Sequence, residues 1–259
     1  MVKEVLKQTA LILSGGGIRG IAHVGLLKAM REFELQADEV SGTSIGALVG
    51  ALYSNGNPCE EILNFFKETP LFRPNNFAFN KAGLFDTDKY YKVLQSYLGH
   101  SSFEALKSKL YVIATELGEG KEVVFKEGEL IRPLLASAAL PPVFSPVEID
   151  QKLYADGGIL NNFPSEYVSK KSLKIGSNTT IINPLEKKDI SNAIQLTTRV
   201  SSIMIHSSTA KKLNRCDIYI APKELRSIGL LDKTSIEKAY QIGYEHACLA
   251  IEAYLNAAD

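Results

Sequence analysis

Thr9-Ala10-Leu11-Ile12-Leu13-Ser14-Gly15-Gly16-Gly17-Ile18-Arg19-Gly20 is the stretch on which the fold turns: a short apolar run, a turn made almost wholly of glycine, and the start of a helix. The apolar run from Thr9 to Leu13, ended by Ser14 and three glycines, suits a buried strand feeding a tight loop. From Ile18 to Phe33 the residues Ile21, Val24, Leu27 and Met30 recur every third position, and Leu26 and Phe33 widen the stripe, as on a helix laid against a sheet.

The same grammar repeats outward. Val40 and Ser41 lead into a second glycine turn, and Ile45 to Tyr53 holds Ala47, Gly50 and Ala51, small enough for a helix to lie close to its neighbours before Asn55-Gly56 ends it. Asn57 is expected to cap the next helix, with Pro58 at its first position and an end near Thr69. Further helices are predicted over 87–98, 130–139, 193–213 and 236–255, and strands over 110–114, 123–125, 175–182 and 218–220, with 143–149 extended. Phe72 to Phe85 reads as an ordered loop whose aromatics Phe72, Phe77, Phe79 and Phe85 join the core, in preference to a lid over a site. Strands alternating with helices and no linker-like stretch imply one domain over residues 1–259, an α/β sandwich on a largely parallel sheet.

Lys plus Arg and Asp plus Glu number 29 each, so no global field gathers nucleic acid or an anionic membrane, and any transient membrane-surface contact is expected to be local. Three cysteines, Cys59, Cys216 and Cys248, suggest neither a disulfide framework nor a zinc site. The apolar run before the glycines is too short for a signal segment or a membrane span, and a cytoplasmic location is expected.

Three motifs carry chemistry. Gly15-Gly16-Gly17-Ile18-Arg19-Gly20 lets several backbone N–H groups converge on an anion at a helix N-terminus. Gly15, Gly17 and Gly20 also satisfy the dinucleotide fingerprint, but Asp38 and Glu39 precede Val40 instead of closing a second strand, so that reading is incomplete. Gly42-Thr43-Ser44-Ile45-Gly46 is a G-x-S-x-G turn between an extended stretch and a helix, which projects a serine hydroxyl and offers the Ile45 N–H to an oxyanion. A plain N-cap serine is the alternative. Asp156-Gly157-Gly158 alone is a turn, but a carboxylate beside a hydroxyl nucleophile supplies the base that the nucleophile needs.

Together the motifs resemble those of the patatin-like phospholipases: a G-G-G-x-[KR]-G loop, a G-x-S-x-G elbow and a D-G-[GA] motif, in that order, over about residues 10–222 and ahead of a C-terminal helix at about 233–255. The segment Ala136 to Val147 is similar to the one that precedes the Asp motif in bacterial members, departing at Pro142, where many relatives have glycine. The resemblance implies a three-layer α/β/α sandwich, with Ser44 as nucleophile and Asp156 as its dyad partner. Gly42 and Gly46 would flank the nucleophile, and Gly157 and Gly158 would follow the aspartate. It assigns Gly15, Gly16, Gly17, Arg19, Gly20 and Ile45 to the oxyanion hole and requires no metal or cofactor. The implied substrate is a lipid or fatty acyl ester, cleaved through an acyl-enzyme. A Ser-Asp-His triad using His206 or His246 and a non-enzymatic adaptor on the same fold are the competing readings; both histidines fall in predicted helices, away from the loops where triad histidines sit. His23 and His100 read as structural or exposed.

Overall fold

The computed structural model describes residues 8–69, 74–182, 184–210, 212 and 215–258. In chain order, β1 (Thr9–Leu13) leads through a 3-10 turn, Gly17–Ile21, into α1 (Ala22–Glu32). There follow β2 (Glu39–Thr43), α2 (Ile45–Asn55), α3 (Cys59–Glu68), α4 (Tyr91–Leu98), β3 (Lys109–Glu116), β4 (Lys121–Phe125) and α5 (Ile131–Ser137). The remainder is β5 (Val147–Ile149), β6 (Lys152–Asp156), β7 (Leu173–Ser177), α6 (Ala193–Ala210), β8 (Ile218–Ile220) and α7 (Ile236–Ala258). The chain is therefore a mixed α/β fold, as expected.

Among the described residues the strands form one sheet in the order β5-β6-β3-β2-β1-β7-β8, with β4 also on β3. The run β3-β2-β1-β7-β8 is parallel. Strands β4, β5 and β6 join it antiparallel. The pleat of β1 divides the interior in two. Leu11 and Leu13 enter the large core under α1, α2, α5 and α7, whereas Ala10 and Ile12 meet Phe163 and Val168 on the other face. Each such fully buried leucine or isoleucine contributes roughly 1.5–3 kcal/mol relative to exposure.

β3 is the joint that builds the site. β2 pairs with its first half, placing Thr43 opposite Ile113, and β6 pairs with its second half, placing Asp156 opposite Ala114. β4 overlaps both stretches, from Val112 to Glu116, so it occupies the other edge. A strand edge has room for one partner at each residue, so β2 and β6 follow one another along the same edge of β3. The ends of two strands more than a hundred residues apart in sequence are thereby set nose to nose.

Three local expectations needed adjustment. Pro58, not Asn57, is the N-cap of α3, because its extended ψ of 155° leaves it outside the helix, and Asn57 instead donates through Nδ2 to Glu61 and to the Tyr97 carbonyl. β7 stops at Ser177, five residues short of the predicted strand, where the Asn178 N–H turns to the Ile220 carbonyl. β6 was not foreseen as a strand: Lys152 and Leu153 are exposed, and its pairing with β3 defines it. The aromatic loop also differs. Phe77 stacks on Phe85 but remains 46% exposed, and Phe79 is 81% exposed, because neither has an element above it; Phe72 lies outside the described residues.

Candidate active site

Ser44 follows β2 and caps α2 with φ 56° and ψ −127°, a positive-φ conformation that costs a non-glycine residue about 1–3 kcal/mol. The surroundings hold it there. Its N–H donates to Ser137 Oγ on α5 at 2.9 Å, and its carbonyl accepts from the Ala47 and Leu48 N–H groups. The flanking glycines are steric necessities: a Cβ on Gly42 would lie 2.6 Å from the Gly46 carbonyl oxygen, and one on Gly46 would lie 2.3 Å from that of Leu13.

Asp156, at the end of β6, is buried, and its two carboxylate oxygens have separate duties. Oδ2 accepts from Ser44 Oγ at 2.6 Å, and Oδ1 accepts from the Gly158 N–H at 2.7 Å. The main chain is tied as well, with its N–H on the Ala139 carbonyl and its carbonyl receiving the Thr115 hydroxyl. Burial pushes the carboxyl pKa up from 3.8 to about 6, against the opposing pull of the Ser44 and Gly158 hydrogen bonds.

The glycine loop lies beside this pair. Gly15 donates its N–H to the Asn162 carbonyl, and its own carbonyl receives the hydroxyls of Ser14, Thr179 and Thr180. Gly16 and Gly17 border the same cavity as Ser44 and Asp156, and Ile45 opens α2, where helical N–H groups have no intrahelical acceptor. Gly20 falls inside the 3-10 turn, where a Cβ would collide with Ile45 Cγ2 at 2.2 Å. Arg19 donates Nε to the Ile228 carbonyl and Nη1 to that of Ile181, both at 2.7 Å, bracing the loop from behind.

His23 supports the loop from within the core. Its Nε2 lies 2.9 Å from the Ser14 carbonyl and its Nδ1 2.8 Å from Ser177 Oγ. A carbonyl can only accept, so Nε2 carries the proton and Nδ1 accepts from Ser177. Burial lowers its pKa to about 4, so the ring is neutral at pH 7. The other histidines are bonded elsewhere: His100 to Asn55, His206 to the Thr180 carbonyl and His246 to Glu224.

Two cavities meet at Ser44. An apolar one of about 120 Å³ runs between Phe65 and Phe66 of α3, Leu94 of α4, Leu135 of α5 and Leu48 of α2. A smaller one of about 50 Å³, here the polar cavity for the side chains of Asp156, Arg19, Asn162 and Thr180 and of Thr198, Ser201 and Ser202 on α6 in its lining, is bordered as well by Ile181, Ile182 and Ile205. Gly17, Ser44, Leu140 and Leu230 border both.

Sequence reasoning missed Ser137, His23, Asn162 and Thr180 as parts of this site. Ser137 lies in the segment quoted for its resemblance, but nothing in a run of alanines and prolines shows that its hydroxyl receives the N–H of a residue 93 positions earlier.

Comparison with known proteins follows the same lines. The family model described as patatin-like phospholipase matches residues 11–168. An uncharacterized NTE family protein of Mycobacterium tuberculosis (strain ATCC 25618 / H37Rv) is 34% identical over 160 residues, 61% of this chain and 44% of that one. The patatin-like phospholipase domain-containing protein 6 of Mus musculus is 30% identical over 175 residues, 64% of this chain and 13% of that one. The chain thus spans less than half the length of these curated relatives. Among solved structures, VipD from Legionella pneumophila superposes with a TM-score of 0.58 at 15% identity, over 96% of this chain and 67% of that one, a likeness of fold.

Proposed function

Since the chain belongs to the patatin-like phospholipase family, we propose that it hydrolyses fatty acyl esters of lipids through Ser44 and Asp156, with no histidine between them. The observation that carries this reading is the 2.6 Å hydrogen bond from Ser44 Oγ to Asp156 Oδ2 at the mouth of an apolar cavity. A hydroxyl is a weak nucleophile until a base takes its proton, and a carboxyl with pKa about 6 is better matched to that task than one at 3.8.

The acyl chain enters the apolar cavity, and the alcohol or head group lies toward Arg19 and the hydroxyls of α6. As Oγ attacks the ester carbon, its proton passes to Asp156 Oδ2. The oxyanion is held by the N–H groups of Gly16, Gly17 and Ile45; Gly15, with its N–H on Asn162, shapes the loop, and Gly20 lets the loop lie against Ile45. Collapse expels the alcohol oxygen, which takes the proton from Asp156 and leaves an acyl ester on Ser44. Water then gives a proton to Asp156 and attacks that ester, and the proton returns to Ser44 as the fatty acid departs.

The test is hydrolysis of p-nitrophenyl butyrate by the folded chain and its Ser44→Ala and Asp156→Asn variants. Both variants are expected to lose at least ~100-fold in rate. Undiminished turnover in either, with folding verified, would refute the assignment.

A further inference from the structure

Helix α6 is built inside out. At helical spacing, Thr198, Ser201, Ser202 and Ile205 line the polar cavity at Ser44, and Thr209, one turn further on, is buried and receives Asn162 Nδ2. The opposite face, at the same spacing, is Leu196, Val200, Ile203 and Met204, which are 52, 47, 47 and 58% exposed. The inward face thus carries Thr198, Ser201, Ser202 and Thr209 beside Ile205, and four large aliphatic side chains face outward.

The apolar surface does not end with the helix. At its N-terminal end a groove of about 530 Å³ runs between Ile194 of α6, Leu185, Leu84 and Leu231, and it shares Thr198 and Ser202 with the polar cavity and Leu231 with the apolar one. Phe77, stacked on Phe85, and Phe79 extend the rim next to Leu84. An exposed apolar surface of this extent marks an interaction site, and its groove adjoins both cavities at Ser44.

We propose that this surface seats the protein on an electrically neutral lipid bilayer, with the outward face of α6 lying in the interface. The inference rests on the proposed lipid ester reading, which it deepens. A protein partner or second copy covering α6 and the groove would close the route to Ser44, whereas a lipid surface supplies the molecules that travel it. The occupant is neutral because the surface carries little net charge: Arg199 is the one Lys, Arg, Asp or Glu of the helix, and in the turn just ahead of it Glu186 and Asp189 balance Lys187 and Lys188. Among the described residues no helix is long and apolar enough to cross a membrane, which fits a helix that lies in the interface.

The experiment is flotation with phosphatidylcholine vesicles, using Ser44→Ala protein so that the lipid stays intact. Replacing Leu196, Val200 and Ile203 together by serine is expected to weaken vesicle binding by about 10-fold or more, and binding should be insensitive to salt. The same three changes in the Ser44 protein should leave p-nitrophenyl butyrate turnover within about twofold, because none of the three lines either cavity at Ser44 or the groove beside them. A single Val200→Asp, milder toward the fold, should act in the same direction. The proposal is overturned if the parent does not float, if the variants float as well as the parent, or if the changes convert a dimer to a monomer without affecting flotation. Vesicle binding that follows this pattern in a protein with no esterase activity would uphold docking and refute the active-site reading instead.

Discussion

At the scale of the residue, two buried groups titrate in opposite directions. Asp156 has its pKa raised to about 6 in the fold, so its contribution to stability is fully present below 3.8 and is lost as pH rises through 6. The move from 3.8 to about 6 corresponds to something on the order of 3 kcal/mol withdrawn at pH 7.5. Asp156→Asn is therefore expected to melt at a higher temperature than the parent at pH 7.5, with the gap closing toward pH 4, as followed by calorimetry. His23 runs the other way: its pKa is depressed to about 4, so its contribution is present above 6.5 and is lost as pH falls through 4. His23→Gln should flatten the acid limb of the stability curve. Because the ring holds the carbonyl of Ser14 immediately before the glycine loop, the variant should also lower kcat more than it raises KM.

At the scale of the element, the elbow and the joint at β3 differ in how much of them could be read beforehand. The elbow was legible because its requirements are local: glycine on both sides of Ser44, a strand before and a helix after. A methyl group on Gly46 would meet the backbone of Leu13 and Ser14 with nowhere to go, so Gly46→Ala should destabilise the chain by about 3 kcal/mol or more, measured by urea denaturation. The joint was not legible. That Thr43 and Asp156 lie opposite consecutive residues of β3 is a matter of strand pairing between distant segments, and β6 carries no pattern of its own to announce it. Ser137 is a second nonlocal contribution. Ser137→Ala would leave the strained N–H of Ser44 without its partner, and a loss of roughly 1–2 kcal/mol in stability is expected together with reduced turnover.

At the scale of the whole molecule, the alternation of strands and helices sufficed for the fold class: Thr9–Leu13 and Ile218–Ile220 match expectation to the residue and β3 within two positions at either end, although β7 begins two residues earlier and ends five residues sooner than expected. What the alternation could not show was how the helices are used. α1, α2, α5 and α7 cover the main core, whereas α6 sets Thr198, Ser201 and Ser202 against the cavity at Ser44 and leaves Leu196, Val200, Ile203 and Met204 outward, a stripe that hydrophobic periodicity alone reads as buried. On the proposed reading, the apolar cavity among α2, α3, α4 and α5 would set a size limit for an acyl chain. Leu48→Trp, one turn beyond Ser44, should lower the dodecanoate to butyrate ratio of p-nitrophenyl ester hydrolysis by about 10-fold or more.

All of this depends on Asp156 drawing the proton from Ser44 directly. The most direct test is the rate at which a fluorophosphonate labels the intact protein, followed by mass across pH 4 to 9 in the parent, Asp156→Asn, His206→Gln and His246→Gln. The expected result is a single adduct on Ser44 whose rate rises with an apparent pKa near 6, falls by at least ~100-fold in Asp156→Asn and is unchanged in both histidine variants. Parental labelling in Asp156→Asn, or loss of labelling in either histidine variant, would contradict it.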